Sequence, residues 1–418
     1  MGVGVFTLDN TVQHYDWGSP TAVHELLGTV PDGRPAAELW LGAHPSAPSL
    51  ATPALATPAP APHAPAPHAE AARLDDLVRA DPRAALGHRV SAEFGPRLPY
   101  LLKVLAAQQA LSLQVHPRPH AARAGFNREN REGVAPGSPV RSFHDDQHKP
   151  ELLVALTRFD ALAGFRTPRS ALRLLHGLEG RLLDEVRAAL RHDRTARGVR
   201  AAFTTLVGVR GAARCAQDVA AAVGSVRSRL DAGSPHPLED ATVVQLAEQF
   251  PGDPGALVSL LLNRVVLRPG EAIYVPAGEV HAYLSGLGVE VMASSDNVLR
   301  AGLTSKHVDE PALVECASFE PRHPASPAVS VRGTRSRLTT YRAPVQEFAL
   351  ALADVEASEP VPWHDSGPRI VLALDGDLAL RHGGGTCPLP RGRSLFVTHA
   401  AGPVELVGNG RAVGAWVP

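Results

Sequence analysis

The chain has 418 residues, 44% of them hydrophobic, which is too long for a single hydrophobic core and predicts two or three domains. Its 41 basic and 42 acidic residues give a formal net charge of −1, so neither nucleic acid nor an anionic membrane surface is indicated as a partner. No apolar run is long enough to span a bilayer, and the N-terminus lacks the pattern of a signal peptide. The three cysteines lie far apart and have no metal-binding spacing, which is typical of reduced thiols in a cytoplasmic protein.

The first 70 residues contain two short strand patterns and then a tract without one. Residues 12–20 and 37–45 are each predicted to contain a short strand. Residues 46–70 are rich in proline and alanine, a composition that favours polyproline II and buries too little apolar surface to order itself. We therefore expect a surface loop over 46–70.

The stretch from Leu111 to Pro117 alternates apolar and polar residues, which predicts a half-buried strand. Side chains two positions apart in a strand share a face, so Gln114 and His116 point the same way, with Ser112 beside them. An amide oxygen and an imidazole nitrogen on one wall form half of a metal site.

A carboxylate that can complete this site opens a later apolar strand. Glu151 follows Lys149 and Pro150, and the residue before a proline is restricted to an extended conformation. A carboxylate at the mouth of a buried strand needs a partner. That partner is either a metal ion or a cation such as Lys149 or an arginine, and the local sequence does not decide between them.

From residue 168 to residue 263 the apolar period changes to that of helices. Leucines and valines recur at three- and four-residue spacing, and Thr167 and Pro168 have the residue types of a helix cap and a first helical position. We predict an all-helical domain inserted over 168–263, whose apolar stripes form its core.

The third piece of the candidate metal site lies between Val265 and Tyr283, where the pattern is strand, tight turn, strand. The spacing of Gly270, Pro276, Gly278 and His281 resembles the second metal-binding motif of the cupin superfamily. The turn would project His281 into a barrel. A core histidine is the alternative, and the correct spacing of the residues around it disfavours that alternative.

A polar loop follows the next strand and carries Asp296, Arg300 and Lys306. Arginine binds phosphate through a planar fork and lysine binds it as a point charge, so two cations near a metal site suit a phosphate. A solvated charged loop is the alternative.

After Pro321, short strands recur at the spacing of a sandwich or barrel. Asp375-Gly376-Asp377 is predicted to be a hairpin turn. The segment from Gly392 to Val397 begins like the Gly270 motif, but no histidine falls at the ligand position. The second barrel is therefore expected to carry no metal.

Together these pieces resemble the class I mannose-6-phosphate isomerase (phosphomannose isomerase) family of the cupin superfamily. The blocks that carry the resemblance occur in family order, at residues 15–19, 37–42, 111–117, 148–151, 275–283 and 295–304. The resemblance implies a mainly β fold with an α insertion (α+β), made of two cupin-type β-barrels or jelly rolls and an inserted all-helical domain. The expected domains are a metal-binding cupin of residues 1–165 and 264–330, the helical domain 168–263, and a cupin-like domain 331–418 without metal.

The resemblance also implies the site. It implies one Zn²⁺ per chain, although oxygen and nitrogen ligands suit other divalent metals as well. The implied metal ligands are Gln114, His116, Glu151 and His281. The implied catalytic residues are Arg300, Lys149 and Glu290, and the implied substrate-binding residues are Ser112, Lys306, Trp17 and Asp296.

The implied reaction interconverts D-mannose 6-phosphate and D-fructose 6-phosphate through a cis-enediol, in GDP-mannose biosynthesis. The implied partner is a small sugar phosphate, and the chain is expected to be a cytoplasmic monomer. The general base stays open among Glu290, Lys149, His148 and a metal-bound water.

Two other functions stay open at this point. A metal-dependent cupin dioxygenase is one, although Gln114 in place of a histidine and the Arg/Lys loop disfavour it. A sugar-phosphate-binding protein without catalysis is the other, although the presence of all four ligands and of Arg300 disfavours it.

Overall fold

The computed structural model describes residues 4–54, 70–364 and 366–418. Within these ranges the strands form two antiparallel sheets, one of 11 strands and one of ten, and half of the α-helices lie in one stretch of chain, between β9 and β10. This confirms the expected mainly β fold with an α insertion. No helix in the described ranges is long and apolar enough to cross a membrane.

The strands of the described ranges are, in chain order, β1 (Val5–Asp9), β2 (Thr11–Gln13), β3 (Glu38–Gly42), β4 (Leu50–Pro53), β5 (Ala72–Arg73), β6 (Tyr100–Ala107), β7 (Leu113–Val115), β8 (Glu151–Ala155), β9 (Phe159–Phe165), β10 (Leu262–Leu267), β11 (Ala272–Val275), β12 (His281–Ala293), β13 (Leu299–Gly302), β14 (Ala328–Arg332), β15 (Arg337–Arg342), β16 (Ala349–Val355), β17 (Val361–Pro362), β18 (Arg369–His382), β19 (Gly385–Pro390), β20 (Ser394–Val397) and β21 (Val404–Trp416).

The α-helices of the same ranges are α1 (Ala22–Leu27), α2 (Leu74–Ala80), α3 (Pro82–Leu86), α4 (His88–Phe94), α5 (Pro119–Arg131), α6 (Pro168–Leu174), α7 (Arg181–His192), α8 (Ala196–Gly208), α9 (Cys215–Asp231), α10 (Pro237–Gln249), α11 (Gly255–Val258) and α12 (Glu310–Cys316). Short 3₁₀ helices cover Ser259–Leu261 and His399–Ala401.

The ten-stranded sheet is organised around β12, which pairs with β6 and β8 along its C-terminal part and with β9 and β7 along its N-terminal part. The pairing register shifts between Tyr283 and Ser285, so β12 contains an irregularity of the β-bulge type. Side chains alternate across a strand, and an extra residue reverses which face the later ones occupy. His281 and Glu290 are nine positions apart, yet the bulge lets both side chains point into the same interior.

The two sheets share one hydrophobic core. Leu102 and Val104 of β6 and Val289 of β12 belong to the same buried cluster as Leu350 of β16 and Ile370 of β18. Both faces of β6 are therefore buried, which explains why this strand is apolar at almost every position.

The first strand belongs to the 11-stranded sheet, although the expected domain boundaries put residues 1–165 in the metal-binding cupin. Val5 pairs with Val397 of β20, and on its other side β1 pairs with β4. The expectation of a loop over 46–70 is wrong at Leu50–Pro53, which forms β4 with Ala51 buried. Here β4 lies between β1 and the two-residue β5 in the sheet, and residues 55–69 of the tract lie outside the described residues.

The helical stretch α6 to α11 connects β9 to β10, which lie side by side as antiparallel neighbours. Its two ends therefore leave and re-enter the sheet at one place. Thr167 caps α6, accepting a hydrogen bond from the Ser170 N–H at 3.2 Å. The leucine and valine stripes are buried, and Phe203 of α8 packs edge-on against Phe165 of β9 at 5.5 Å between ring centroids.

The prediction of a hairpin turn at Asp375-Gly376-Asp377 is wrong. These residues lie inside β18, which runs on from Arg369 to His382 and pairs with β21 throughout. The register shifts between Ala373 and Asp375, and Gly376 has a φ of 78°. A strand that bends at a bulge needs the same residue types as a turn, so the local sequence cannot separate the two.

Gly414 of β21 gives a test of the close packing in the C-terminal sheet. A Cβ at this position would lie 2.2 Å from the Ile370 backbone oxygen and 2.7 Å from a Trp363 ring carbon. We expect Gly414→Ala to lower the free energy of unfolding by about 2 kcal/mol, because the backbone must shift. Urea unfolding followed by circular dichroism measures this.

Gly224 in α9 is the matched control, since a Cβ there would meet nothing within 4 Å. We expect Gly224→Ala to raise the unfolding free energy by about 0.5–1 kcal/mol through helix propensity. Equal losses in both variants would contradict the packing explanation.

Candidate metal centre

Three side chains, from the residue after β7 and from the first residues of β8 and β12, meet in the interior of the ten-stranded sheet. The ligand atoms of His116, Glu151 and His281 all lie within 4.8 Å of one another, and all three side chains are buried. His116 Nε2 is 3.0 Å from Glu151 Oε1, and His281 Nε2 is 3.3 Å from Glu151 Oε2. In the described part of the chain this is the one cluster of at least three such side chains that could hold a metal ion.

Both imidazoles are oriented by backbone carbonyls. His116 Nδ1 lies 2.7 Å from the Asn297 oxygen, and His281 Nδ1 lies 3.1 Å from the Glu279 oxygen. Each Nδ1 therefore carries the proton and donates it, which leaves the Nε2 lone pairs directed at the centre. The buried His116 Nε2 has no hydrogen-bond partner, as expected of an atom that serves as a metal ligand.

The charges of the cluster also fit a cation. Burial raises the pKa of Glu151, but the nearby His116 and Lys149 outweigh burial and hold that pKa well below the ordinary value. Lys149 Nζ is 3.3 Å from Glu151 Oε1. Burial lowers the pKa of His116 to about 4, so this imidazole is neutral at physiological pH. An ionised carboxylate and a neutral imidazole are the protonation states that bind a metal.

Gln114 lies directly across from His281 in the strand pairing, and its amide Nε2 is 3.2 Å from His281 Nε2. A half-turn of the amide exchanges its nitrogen and oxygen, which brings the oxygen to the centre as a fourth ligand atom. Ser112 was expected to share this strand, but β7 begins one residue later, and Ser112 is half-buried before it.

Asn297 is fully buried and fixes the turn on which His116 rests. Its amide nitrogen donates to the Asp145 and Gln147 carbonyl oxygens, each at 2.8 Å, and its amide oxygen accepts from the His144 N–H at 2.7 Å. The sequence analysis did not single out Asn297. Its signal is the Ser-Asp-Asn run that precedes β13, which is ambiguous because such residues occur in many loops.

A row of charged side chains crosses the same interior beside the metal cluster. Lys103 is paired in register with both Trp40 and Glu290, and its Nζ lies 3.9 Å from Glu290 Oε2 and 3.6 Å from Glu38 Oε1. Burial and then the charge of Glu151 raise the pKa of Glu290 to about 8. Burial by itself lowers the pKa of Lys103, but Glu38 and Glu290 reverse the effect and raise it.

The sequence analysis missed Lys103 and Glu38. The signal for Lys103 was available, since a lysine in the middle of a continuous apolar strand needs a buried partner. Glu38 precedes Trp40 and accepts a hydrogen bond from its indole N–H at 2.7 Å, so it also holds that ring in place.

Arg300 lies across from Gln114 on the other side of β7, which puts both side chains on the interior face. Its guanidinium is half-buried and has no hydrogen bond or ion pair with another residue in the described ranges. Burial lowers the pKa of Lys306, and the charge of Arg300 lowers it further, so the two cations lie near each other. Lys306 is exposed.

Two other predicted site residues have partners of their own. Asp296 Oδ1 lies 3.5 Å from Nε2 of the buried His44. Trp17 stacks on Tyr15 at 5.7 Å and packs against the apolar interior that contains Leu105. Tyr15 is at the mouth, where its pKa is raised by burial and by Glu38.

His148, a candidate base, faces away from the cluster towards the C-terminal sheet. Its Nε2 is 2.6 Å from Oε1 of Glu347, which lies between β15 and β16. This contact ties the segment that carries Lys149 and Glu151 to the other sheet.

Comparison with known proteins identifies relatives over the whole chain. Residues 5–168 match the family model "Phosphomannose isomerase type I, catalytic domain", and residues 337–416 match "Mannose-6-phosphate isomerase, cupin domain". The mannose-6-phosphate isomerase of Escherichia coli K12 is 36% identical over 97% of each chain, and mannose-6-phosphate isomerase 1 of Arabidopsis thaliana is 31% identical over 93% of this chain and 88% of its own. A zinc-bound crystal structure of mannose 6-phosphate isomerase has a TM-score of 0.84 at 33% identity and covers 99% of each chain.

The role of Asn297 can be tested by Asn297→Asp, which keeps the shape of the side chain but removes both N–H donors to the Asp145 and Gln147 carbonyls. We expect metal affinity to fall by about 10–100-fold, because His116 loses its fixed orientation. Competition between the protein and a chromogenic chelator measures the affinity. Asn10→Asp is the control, since Asn10 binds Ser49 and Ser394 far from the cluster; an equal loss there would contradict the orienting role.

Proposed function

This chain belongs to the type I phosphomannose isomerase family, and we propose that the pocket around His116, Glu151 and His281 is where it carries out that family's reaction. The chain is an aldose–ketose isomerase that interconverts D-mannose 6-phosphate and D-fructose 6-phosphate and depends on a metal. The observation that carries the assignment to this pocket is the buried cluster of two imidazoles and an ionised carboxylate. It lies next to the Lys103–Glu290 pair and a half-buried Arg300 that has no polar partner among the described residues.

The cofactor is one zinc ion, and the residues present fit it. His116 and His281 would bind it through Nε2, Glu151 through a carboxylate oxygen and Gln114 through its amide oxygen, which is a ligand set of the kind zinc accepts. When bound, zinc supplies a Lewis acid for the oxygen atoms of the sugar. Lys149 keeps Glu151 ionised, so we assign it a supporting role for the ligand.

Proton transfer is assigned to the buried charged side chains beside the metal cluster, which are Glu290, Lys103 and Glu38. The reaction removes the proton from C2 of the open-chain aldose and returns one to C1, while the two oxygens also exchange a proton. Glu290 is the group we assign to carry the carbon-bound proton, because it is buried in the interior beside Lys103 and its pKa of about 8 suits a group that takes up and releases a proton near neutral pH. We do not assign this role to His148, because its Nε2 contacts Glu347.

Binding of the negatively charged groups of the substrate is assigned to Arg300 and Lys306. Arg300 would stabilise the charge that develops on the enediol oxygens, since its guanidinium is half-buried and unpaired among the described residues. Lys306 would bind the phosphate at the exposed end, with Ser112 and Asp296 nearer the sugar. Binding energy from the phosphate then orients the distant carbonyl.

The loop that carries Thr304 and Lys306 is bound to the helical insertion by hydrogen bonds. Arg210, after α8, donates to the Thr304 carbonyl oxygen and pairs with Asp253 at 2.6 Å, and Asp253 accepts from the Thr304 N–H at 3.3 Å. Leu303, which precedes Thr304, has a φ of 53°, a backbone conformation that is costly for leucine. We infer that these contacts hold the phosphate-binding loop in shape.

We further propose the domain division expected from the sequence, except that β1, β4 and β5 join the C-terminal sheet, with metal in the first cupin and none in residues 331–418. We also propose that the enzyme is a cytoplasmic monomer that acts in GDP-mannose biosynthesis. The three free cysteines are consistent with a reducing compartment. Light scattering should give the mass of one chain, and a dimer mass would reject the monomer.

Metal dependence is the first test of the function. We expect formation of fructose 6-phosphate from mannose 6-phosphate, followed in a coupled assay, to stop after chelation and to return with zinc. Glu151→Gln should bind no zinc and show no activity, because the cluster loses its only negative charge. Full activity of the metal-free protein would contradict the assignment of the reaction to this pocket.

Variants of Arg300 and Arg210 distinguish a role in the chemical step from a role in positioning the loop that carries Lys306. We expect Arg300→Ala to retain zinc and lose about 10²–10³-fold in kcat, since it removes a group that binds the developing charge. We expect Arg210→Ala to raise KM about tenfold with kcat nearly kept, because only the loop that holds the phosphate loosens. Steady-state kinetics with zinc analysis measure both, and a near-normal kcat for Arg300→Ala would reject its assigned role.

A further inference from the structure

The helical insertion contains a second concave site that the isomerase pocket does not use. The cavity has a volume of about 500 Å³ and lies between α6, the turn after α6, the α7–α8 loop and the residue pair before α10. Leu172 and Pro235 form its apolar part. The other lining residues are all basic: Arg169, Arg173, Arg194, His176 and His236.

The charge of this cavity differs from that of the chain as a whole. No acidic residue lines it, whereas the full sequence has nearly equal numbers of acidic and basic residues. None of the Arg169, Arg173 and Arg194 side chains has an ion pair or hydrogen bond in the described ranges. By contrast, Arg181 and Arg229 of the same insertion pair with aspartates. Three cations held around a concavity without counter-charge create a local positive potential.

The walls of the cavity are fixed by one buried ion pair behind them. Arg229 pairs with the fully buried Asp240 and donates to the Leu174 and His176 carbonyl oxygens at 2.7 and 3.0 Å. Asp240 accepts from Ser234 Oγ at 2.6 Å, and Ser234 Oγ accepts from the His236 N–H at 2.8 Å. The backbones that carry His176 and His236 therefore belong to one network, while the basic side chains stay free to meet a ligand.

We propose that this cavity binds a small organic anion that carries at least one phosphate group and a ring. Guanidinium groups bind phosphate oxygens in pairs, and the volume lies in the range of small-molecule sites. Leu172, Pro235 and the two imidazoles offer surface for a ring, which inorganic phosphate would leave uncovered. The proposal concerns a site within the helical insertion and does not depend on the isomerase assignment.

The test is isothermal titration calorimetry of the zinc-loaded full chain with ADP and with pyrophosphate. The titrations are repeated with Lys306→Ala, which removes the cation assigned to the phosphate in the isomerase pocket, so that binding in that pocket is recognised by its loss. We expect one ADP per chain and weaker binding of pyrophosphate, which lacks the ring. Arg173→Ala and Arg194→Ala should each bind ADP at least about tenfold more weakly, because each removes a charged hydrogen-bond donor.

Arg200→Ala is the matched control, since Arg200 is an exposed residue of α8 outside the cavity lining and its side chain has no polar partner in the described ranges. It should bind ADP like the unmodified chain, and all three arginine variants should keep normal isomerase activity, which verifies folding. Equal ADP affinity in all three arginine variants would place the ligand elsewhere and overturn the proposal. Failure of both probes to bind at millimolar concentration would also overturn it, and equal binding of pyrophosphate and ADP would overturn the ring component.

Discussion

The structure depends on charged and titratable side chains that are buried in the interior of the ten-stranded sheet. Glu151 lies between two imidazoles with its side chain only 2% exposed, and a carboxylate in that setting is stable only if its charge is matched. Lys149 supplies part of that match and a divalent cation supplies the rest. The backbone carbonyls of Asn297 and Glu279 decide which nitrogen of each histidine carries the proton, so the polarity of the cluster is set by main-chain groups. The same requirement operates in the neighbouring row, where Lys103 is held between two glutamates.

The residues of this site differ in how far the sequence reveals them. Gln114 and His116 could be predicted because alternation fixes which side chains share a face, and His281 because a turn of fixed spacing precedes it. Lys103 was missed because β6 packs against a second sheet on its outer face, so its pattern is continuous and does not show which residues point inward. The hairpin turn predicted at Asp375-Gly376-Asp377 was wrong for another reason, and the pairing of β1 with β20 was not foreseen for the same reason. Both features depend on contacts with residues remote in sequence.

The helical insertion contributes to the pocket without lending it a metal ligand. Its last segments return to the sheet beside β13, where Arg210 and Asp253 bind both the N–H and the carbonyl of Thr304. Two features destabilise the loop that these contacts hold. Leu303 has a strained backbone conformation, and Arg300 and Lys306 repel each other. With the phosphate assigned to Lys306 as proposed, the fold of the helices and the affinity for the substrate are thermodynamically linked.

The bulge in β12 limits how this fold can change in length. His281 and Tyr283 precede it and Glu290 follows it, and they meet in one interior because one extra residue lies between them. Removing a single residue from that short stretch would turn Glu290 outward, against Leu350 and Ile370 in the core that the two sheets share. The metal cluster would survive, whereas Glu290, to which we assign the proton transfer, would leave the interior. Related chains can therefore vary in length within the helical insertion or in surface loops, whereas the spacing between the two halves of β12 can change only in steps of two.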